Sequence, residues 1–247
     1  MPALSLNHTK QWLKQSQHPA AQPLFRILKA IRRFELPTPR LLAAPLYSGY
    51  CLLRDSGASL TRLFLWTPLV KGRLQHVGQG LYLYGGLPYI AGPVQIHIGN
   101  DCRLSGHSTI TGRSSAKQAP QLRVGDNVDI GWMTTIAVGN RVVIGNNTRI
   151  AGRALLAGYP GHPLNAEARA AGLPELDEQV GDIVLEEDVW LATGVSVMAG
   201  VRIGKGSIVA AGSVVTHNLP AGVLAGGIPA KVIRHLDTTD KQGANHA

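Results

Sequence analysis

From Leu185 the chain reads LEEDVW, LATGVS, VMAGVR, IGKGSI, VAAGSV and VTHNLP, six consecutive hexads that open on Leu, Leu, Val, Ile, Val and Val without losing phase. Their fifth positions are Val189, Val195, Val201, Ser207, Ser213 and Leu219. The same spacing runs through IGNDCR, LSGHST and ITGRSS from Ile98 and through VGDNVD and IGWMTT from Val124. After a slip of phase it returns in VGNRVV, IGNNTR and IAGRAL from Val138. A period of six is neither the 3.6 of a helix nor the 2 of a plain strand. It fits a short strand ending in a tight corner, with the first residue inward and glycine or asparagine supplying the bend. Three such hexads close a triangular coil of about 18 residues, and successive coils stack as parallel strands. Two stretches, 113–121 and 157–182, lose the beat, and setting them aside leaves about six or seven coils.

Ahead of the repeats the pattern is helical. In QPLFRILKAIRRF, residues 22–34, Leu24, Phe25, Ile27, Leu28, Ile31 and Phe34 recur at helix spacing, with Arg26, Lys29, Arg32 and Arg33 between them. The prolines of LPTPR end this helix, because each disfavours helix in the residue before it. The apolar stretches 41–53 and 59–70 predict two further short helices leading into the coils. The expected organisation is a basic, partly helical region over 1–73, a β-helix domain over 74–234 with a protruding loop at 157–182, and a flexible tail over 235–247.

Composition adds two constraints. The 247 residues carry a formal net charge of +9. Residues 1–73 hold 11 of the 24 Lys and Arg and only two acids, Glu35 and Asp55, so the whole excess lies in the first third. Such a segment seeks polyanions, and a basic amphipathic helix either packs its apolar side on the protein or lies on an anionic membrane. Nucleic acid is not expected as a partner, because the charge lacks interleaved aromatics or a known module. Cys51 and Cys102 have no metal-type spacing and read as reduced thiols. With no signal peptide at the N-terminus and no apolar run of membrane-spanning length, the expected location is the cytoplasm, with peripheral contact at the inner face of the membrane as an option.

The longer interruption contains His162, between glycine and proline in GHPLNAEAR. A loop imidazole over a rigid scaffold can accept a proton from an attacking hydroxyl near neutral pH. GVRIGKGS lacks the spacing of a phosphate-binding P-loop and is a coil repeat. His76, His97, His107 and His162 are widely separated, so no metal site is expected.

The hexads, GHPLNAEAR and the segment VWLATGVSVMAGVRIGKGSIVAAGSVVTHNLPAGVLAGGIPAKVIR (189–234) together resemble the hexapeptide-repeat acyltransferases, most nearly the galactoside and maltose O-acetyltransferase type. The resemblance covers about residues 94–234 and implies an all-β, left-handed parallel β-helix, acetyl-CoA as donor, and a homotrimer with active sites between subunits. It implies His162 as general base. It puts Thr193 and Ala211 along the pantetheine channel, and a backbone amide near Thr193 at the developing oxyanion. Thr216 and His217 fall at the nucleotide end, where that group carries Thr-Lys, and Lys231 and Arg234 near the coenzyme's phosphates. Asn165 and Arg169 of the loop motif, and Trp132 as a stacking platform, are candidates for binding a carbohydrate acceptor. Gly131 and Gly139 align with two side-chain sugar ligands of that group, which turns the expectation from small free sugars to a surface-polysaccharide or lipid-linked glycan intermediate. Two alternatives stay open: a non-catalytic trimeric scaffold, and N-acyl transfer to a nucleotide sugar.

Overall fold

The computed structural model describes residues 6–16 and 18–236. The chain forms two compact units, one up to Arg54 and one from Asp55 onward. In the first, α1 (Leu6–Gln15) and α2 (Ala21–Arg33) form a pair. Leu13 and Ala21 are its buried side chains among the described residues, and Lys14 lies 6.0 Å from the Phe25 ring centroid. The two short helices expected over 41–53 and 59–70 are instead one helical run. It comprises α3 (Arg40–Thr61), a π-helical turn (Arg62–Trp66) and α4 (Thr67–Arg73). Gly57 does not break it, since a helical glycine costs only about 1 kcal/mol. The end of the run is held by packing: Val70 is buried in the core of the coils, with Trp66 and Leu74 half-buried against it.

The rest is three parallel sheets wrapped around one apolar column. The first sheet stacks His76–Val77, Gln95–Ile98, Gln121–Val124, Arg141–Ile144, Ile183–Leu185 and Arg202–Ile203. The second runs from Tyr82–Tyr84 through Arg103–Ser105, Asp129–Ile130, Arg149–Ile150, Trp190–Leu191 and Ile208–Val209 to Val223–Gly227. The third stacks Tyr89–Ala91, Thr109–Gly112, Thr135–Val138, Leu155–Ala157, Ser196–Met198 and Val214–Val215. The chain visits the sheets in turn and returns one strand further along, the order of a three-sided parallel β-helix and consistent with the left-handed form. Ala230–His235 closes the second sheet as an antiparallel strand. Leu236 donates its amide to the Gly222 carbonyl, and the remainder of the expected tail, 237–247, lies outside the described residues.

The hexad grammar maps directly onto burial. Leu185, Leu191, Val197, Ile203, Val209 and Val215 are each 0% exposed, and all six fifth positions are buried. The corner after the first sheet is made at one repeated position by Asp101, Asn127, Asn147, Asp188 and Gly206, all with positive φ. Apart from glycine, Asn and Asp tolerate that conformation best. Their side chains also form a ladder between coils, Asn127 donating to Asn147 and Asn147 to Asp188. The slip of phase has a simple cause. Val124 pairs with Ile144, 20 residues on, whereas Leu185 pairs with Ile203, 18 on, so that coil carries two extra residues. One coil, 76–91, precedes the legible hexads, with Tyr82, Tyr84 and Tyr89 in its strands.

Truncating one of these inward residues, Leu191→Ala, should cost about 2–5 kcal/mol, because neighbouring coils cannot collapse into the void. Denaturant unfolding of the variant checks this; a loss under about 1 kcal/mol would show that the column repacks.

Candidate active site

The loop carrying His162 leaves the third sheet after Leu155–Ala157 and rejoins the first at Ile183–Leu185. Its ends are tied: Gly158 donates its amide to Ala137 O, and Gly181 to Gly158 O. Gly139 lies under this junction, where a Cβ would collide with the Gly158 carbonyl and Val180. Within the loop Gly161 takes φ +79°, His162 is exposed and Pro163 is buried. Asn165 caps α5 (Ala166–Ala170), its side chain accepting from Ala168 N at 2.8 Å. Arg169 turns back to donate to the carbonyls of Pro163 (3.0 Å) and Leu164 (2.7 Å). Gln179 donates to the His162 carbonyl at 3.5 Å. The two loop residues expected to contact acceptor therefore fix the backbone that follows the histidine.

A buried ion pair anchors the loop to the coils. Arg113, which follows the strand Thr109–Gly112, is 4% exposed and Glu175 is 6% exposed. Arg113 Nε lies 2.5 Å from Glu175 Oε1, and its Nη2 reaches Asp177 at 2.8 Å. Ser115 donates to Glu175 at 2.7 Å, Lys117 pairs with Asp177, and Tyr159 donates to Thr111 at 3.0 Å. The two interruptions of the repeat thus grip each other. Burial opposes the charge on Glu175, but hydrogen bonds from Ser115 and Arg113 outweigh it and hold its carboxyl below the usual range. Hydrogen bonds from Arg113 and Lys117 lower that of Asp177. Between the interruptions lies a cavity of about 500 Å³, lined by Lys117, Gln118, Gln121, Asn140, Arg141 and Asp182 among others. None of this cluster was picked out from sequence; the signal available was that Arg113 and Glu175 both fall where the hexads fail.

The register sorts the other predicted residues. Ile130, Ile150, Leu191, Val209 and Ala225 are stacked partners, so Trp132, Gly152, Thr193 and Ala211, each two residues on, share one corner between the second and third sheets, and Gly227 stands beyond them at the turn of the closing hairpin. Trp132 is exposed and lies over Gly152, leaving no room for a Cβ there. At Thr193, the amides on either side are engaged, Ala192 N by Val209 O and Gly194 N by Gly152 O. Ala211 repeats the arrangement: Ala210 N bonds Ala225 O and Gly212 N bonds Thr193 O. The Thr193 and Ala211 amides are left without an acceptor among the described residues. They are consecutive donors about 5 Å apart along a corner of small side chains. Lys231 pairs with Gly226 near the same corner, and Arg234 lies further along that strand opposite Leu224.

Thr216 and His217 lie at the other edge of the third sheet. Leu156, Val197 and Val215 are stacked, so His217 is two coils beyond Gly158, where the loop begins. Thr216 Oγ1 and His217 Nδ1 are 2.8 Å apart. The predicted residues thus divide between two corners. His162, Asn165, Arg169, Thr216 and His217 belong to one; Trp132, Thr193, Ala211 and Lys231 belong to the other. The corners are separated by the width of the third sheet, about 15–20 Å at 3.3 Å per strand residue. Among the described residues no group of three or more His, Cys, Asp or Glu is placed to hold a metal ion.

Residues 182–217 match the family profile described as bacterial transferase hexapeptide (six repeats). The chain is 37% identical over 113 residues to the galactoside O-acetyltransferase of Lactococcus lactis, a match covering 46% of this chain and 49% of that one. It is 34% identical over 120 residues to the galactoside O-acetyltransferase of Escherichia coli, covering 49% and 57%. The chain therefore spans about half the length of these curated relatives. Among solved structures, an N-acyltransferase from Bacillus cereus in complex with dTDP-4-amino-4,6-dideoxyglucose and coenzyme A has a similar fold. Its TM-score is 0.58 at 20% identity, covering 70% of this chain and 90% of that one.

Removing one partner of a buried ion pair strands the other charge and generally costs about 3–5 kcal/mol. Arg113→Ala should therefore release the loop, and limited proteolysis should cut within 158–182 far faster than in the wild type. The lowered carboxyls of Glu175 and Asp177 give the anchor a pH dependence. Their contribution is complete above the ordinary carboxylate range, about pH 4, and is lost as pH falls through their lowered values. The same proteolysis across that acid range should show the wild-type loop opening before the coils unfold.

Proposed function

We propose that this chain, which carries a hexapeptide-repeat transferase domain, moves the acetyl group of acetyl-CoA to a hydroxyl of a sugar. The observation that carries the reading is the division of the site between two corners. One corner presents a histidine on an anchored loop, and the other presents two amides without an acceptor among the described residues, at positions with small side chains near Lys231. Neither is sufficient alone. Acyl transfer needs a base at the acceptor and donors at the thioester carbonyl, both within hydrogen-bonding reach of the reacting atoms.

A homotrimer reconciles the two. A second copy would bring its Thr193 corner against the His162 loop of the first, so that three equivalent sites form between subunits. In each, His162 takes the proton from the acceptor hydroxyl as its oxygen attacks the thioester carbonyl. The amide of Thr193 donates to the oxyanion while the carbon–sulfur bond breaks. The coenzyme leaves as thiolate, and the imidazolium returns the proton to sulfur. The small residues at Ala211 and Gly227 give the pantetheine arm a shallow bed. Lys231 and Arg234, both exposed, supply charge-assisted bonds to phosphate.

The acceptor enters from the cavity beside the loop. Its amide, guanidinium and carboxylate groups suit sugar hydroxyls, and Trp132 of the neighbouring copy is free to stack on a ring. The open, polar shape supports an acceptor larger than a free monosaccharide, such as a surface-polysaccharide or lipid-linked glycan intermediate. An amine on a nucleotide sugar is the second reading. It is motivated by the fold shared with the Bacillus cereus N-acyltransferase, and an acceptor screen with matched hydroxyl and amine sugars separates the two.

His162→Ala should lower turnover by about 10²–10⁴ with little change in acetyl-CoA affinity. Lys231→Ala/Arg234→Ala should instead weaken acetyl-CoA binding in calorimetric titration while leaving the loop intact. The arrangement between copies has its own test. Mixing His162→Ala chains with Thr193→Trp chains, each inactive alone, should restore part of the activity, because some interfaces then combine two unaltered corners. No recovery on mixing, with subunit exchange demonstrated, would refute a site shared between copies.

A further inference from the structure

Among its described residues, the first compact unit exposes many more large apolar side chains than it buries. The α1–α2 pair buries Leu13 and Ala21, yet Leu24, Ile27, Leu28, Ile31 and Phe34 of the α2 segment stay exposed on one stripe. Arg26, Lys29, Arg32 and Arg33 occupy the intervening positions. After Arg40, α3 runs through thirteen uncharged residues, Leu41 to Leu53. None of α3 is buried. Leu41 is 89% exposed, Leu46 73% and Leu53 75%, and Tyr47 and Tyr50 are exposed among them. So many large apolar side chains exposed along two helical segments are rare on a protein that meets only water.

We infer that α2 and the first half of α3 form a docking surface for an anionic lipid bilayer, with the α2 stripe and Leu41–Leu53 seated among the acyl chains and the arginines at the headgroups. Charge selects this occupant. Residues 1–73 carry the whole net positive charge of the chain. Covering this face with a second copy would press like charges together, whereas an anionic bilayer neutralises them. Length decides the mode. Thirteen helical residues reach about 20 Å, short of the 30 Å hydrocarbon layer, so the segment lies in the interface. In agreement, no helix among the described residues is long and apolar enough to cross a membrane. Tyr47 and Tyr50 suit the headgroup boundary, where a ring is apolar on its faces and polar at its tip. The inference is independent of the acyl-transfer reading and is tested without an activity measurement.

The experiment is vesicle flotation of the full chain, using phosphatidylcholine alone and an equal mixture with phosphatidylglycerol, at low and high salt. The protein should float with the mixed vesicles at low salt and remain below with phosphatidylcholine alone. Leu46→Glu/Leu53→Glu should lower binding to the mixed vesicles at least tenfold. Arg32→Glu/Arg33→Glu should abolish the preference for the anionic lipid. Both pairs lie on exposed positions, and circular dichroism and sedimentation should be unchanged. Failure of the wild type to float would overturn the proposal, as would equal flotation of the leucine variant. A leucine variant that falls apart into smaller species would also overturn it, because the face would then be covered by another copy of the chain.

Discussion

Each turn of the coil must deliver an aliphatic side chain to the same axial column, and the candidate site residues on the coils are placed by that requirement. With one inward residue per hexad fully enclosed, a shift of one residue would turn apolar side chains outward and polar ones inward. The register is therefore fixed, and residues far apart in sequence become neighbours at repeated positions. Thr193 and Ala211 are stacked because Leu191 and Val209 are. His217 stands above the start of the His162 loop because Val215 stands above Leu156 through Val197.

A scaffold this regular offers little relief for chemistry, so the relief comes from breaking the repeat. The two interruptions do not hang free of the coils. Arg113 from one and Glu175 from the other meet in a buried, hydrogen-bonded pair. Taking both charges out of water is expensive, and such pairs seldom add net stability over an apolar contact. What this one provides is a definite geometry: a long loop held at one place on a smooth surface, with Asn165, Arg169 and Gln179 fixing the backbone around His162. In the proposed reaction, a base on that loop gains from such fixity.

The first unit follows other rules. Its helices are amphipathic or apolar along exposed faces, and its charge is one-sided. The coils are charge-balanced and bury their apolar residues.

The amino-acid sequence alone specifies the coils. A six-residue period is a local property, and each hexad carries both its inward aliphatic residue and its corner-forming Gly, Asn or Asp, so inside and outside could be assigned residue by residue. It also marked the α2 helix and the loop histidine, the former by periodicity and the latter by a resemblance in its flanking motif. The joining of 40–73 into one helical run was not legible, because a glycine within a helix and one at its end look alike in a local pattern, and the cost of Gly57 is too small to break the run. The Arg113–Glu175 anchor, the cavity beside it and the division of the site between two corners were decided only by tertiary structure. They depend on contacts between segments 62 residues apart and on register summed over several coils, and no local pattern encodes either.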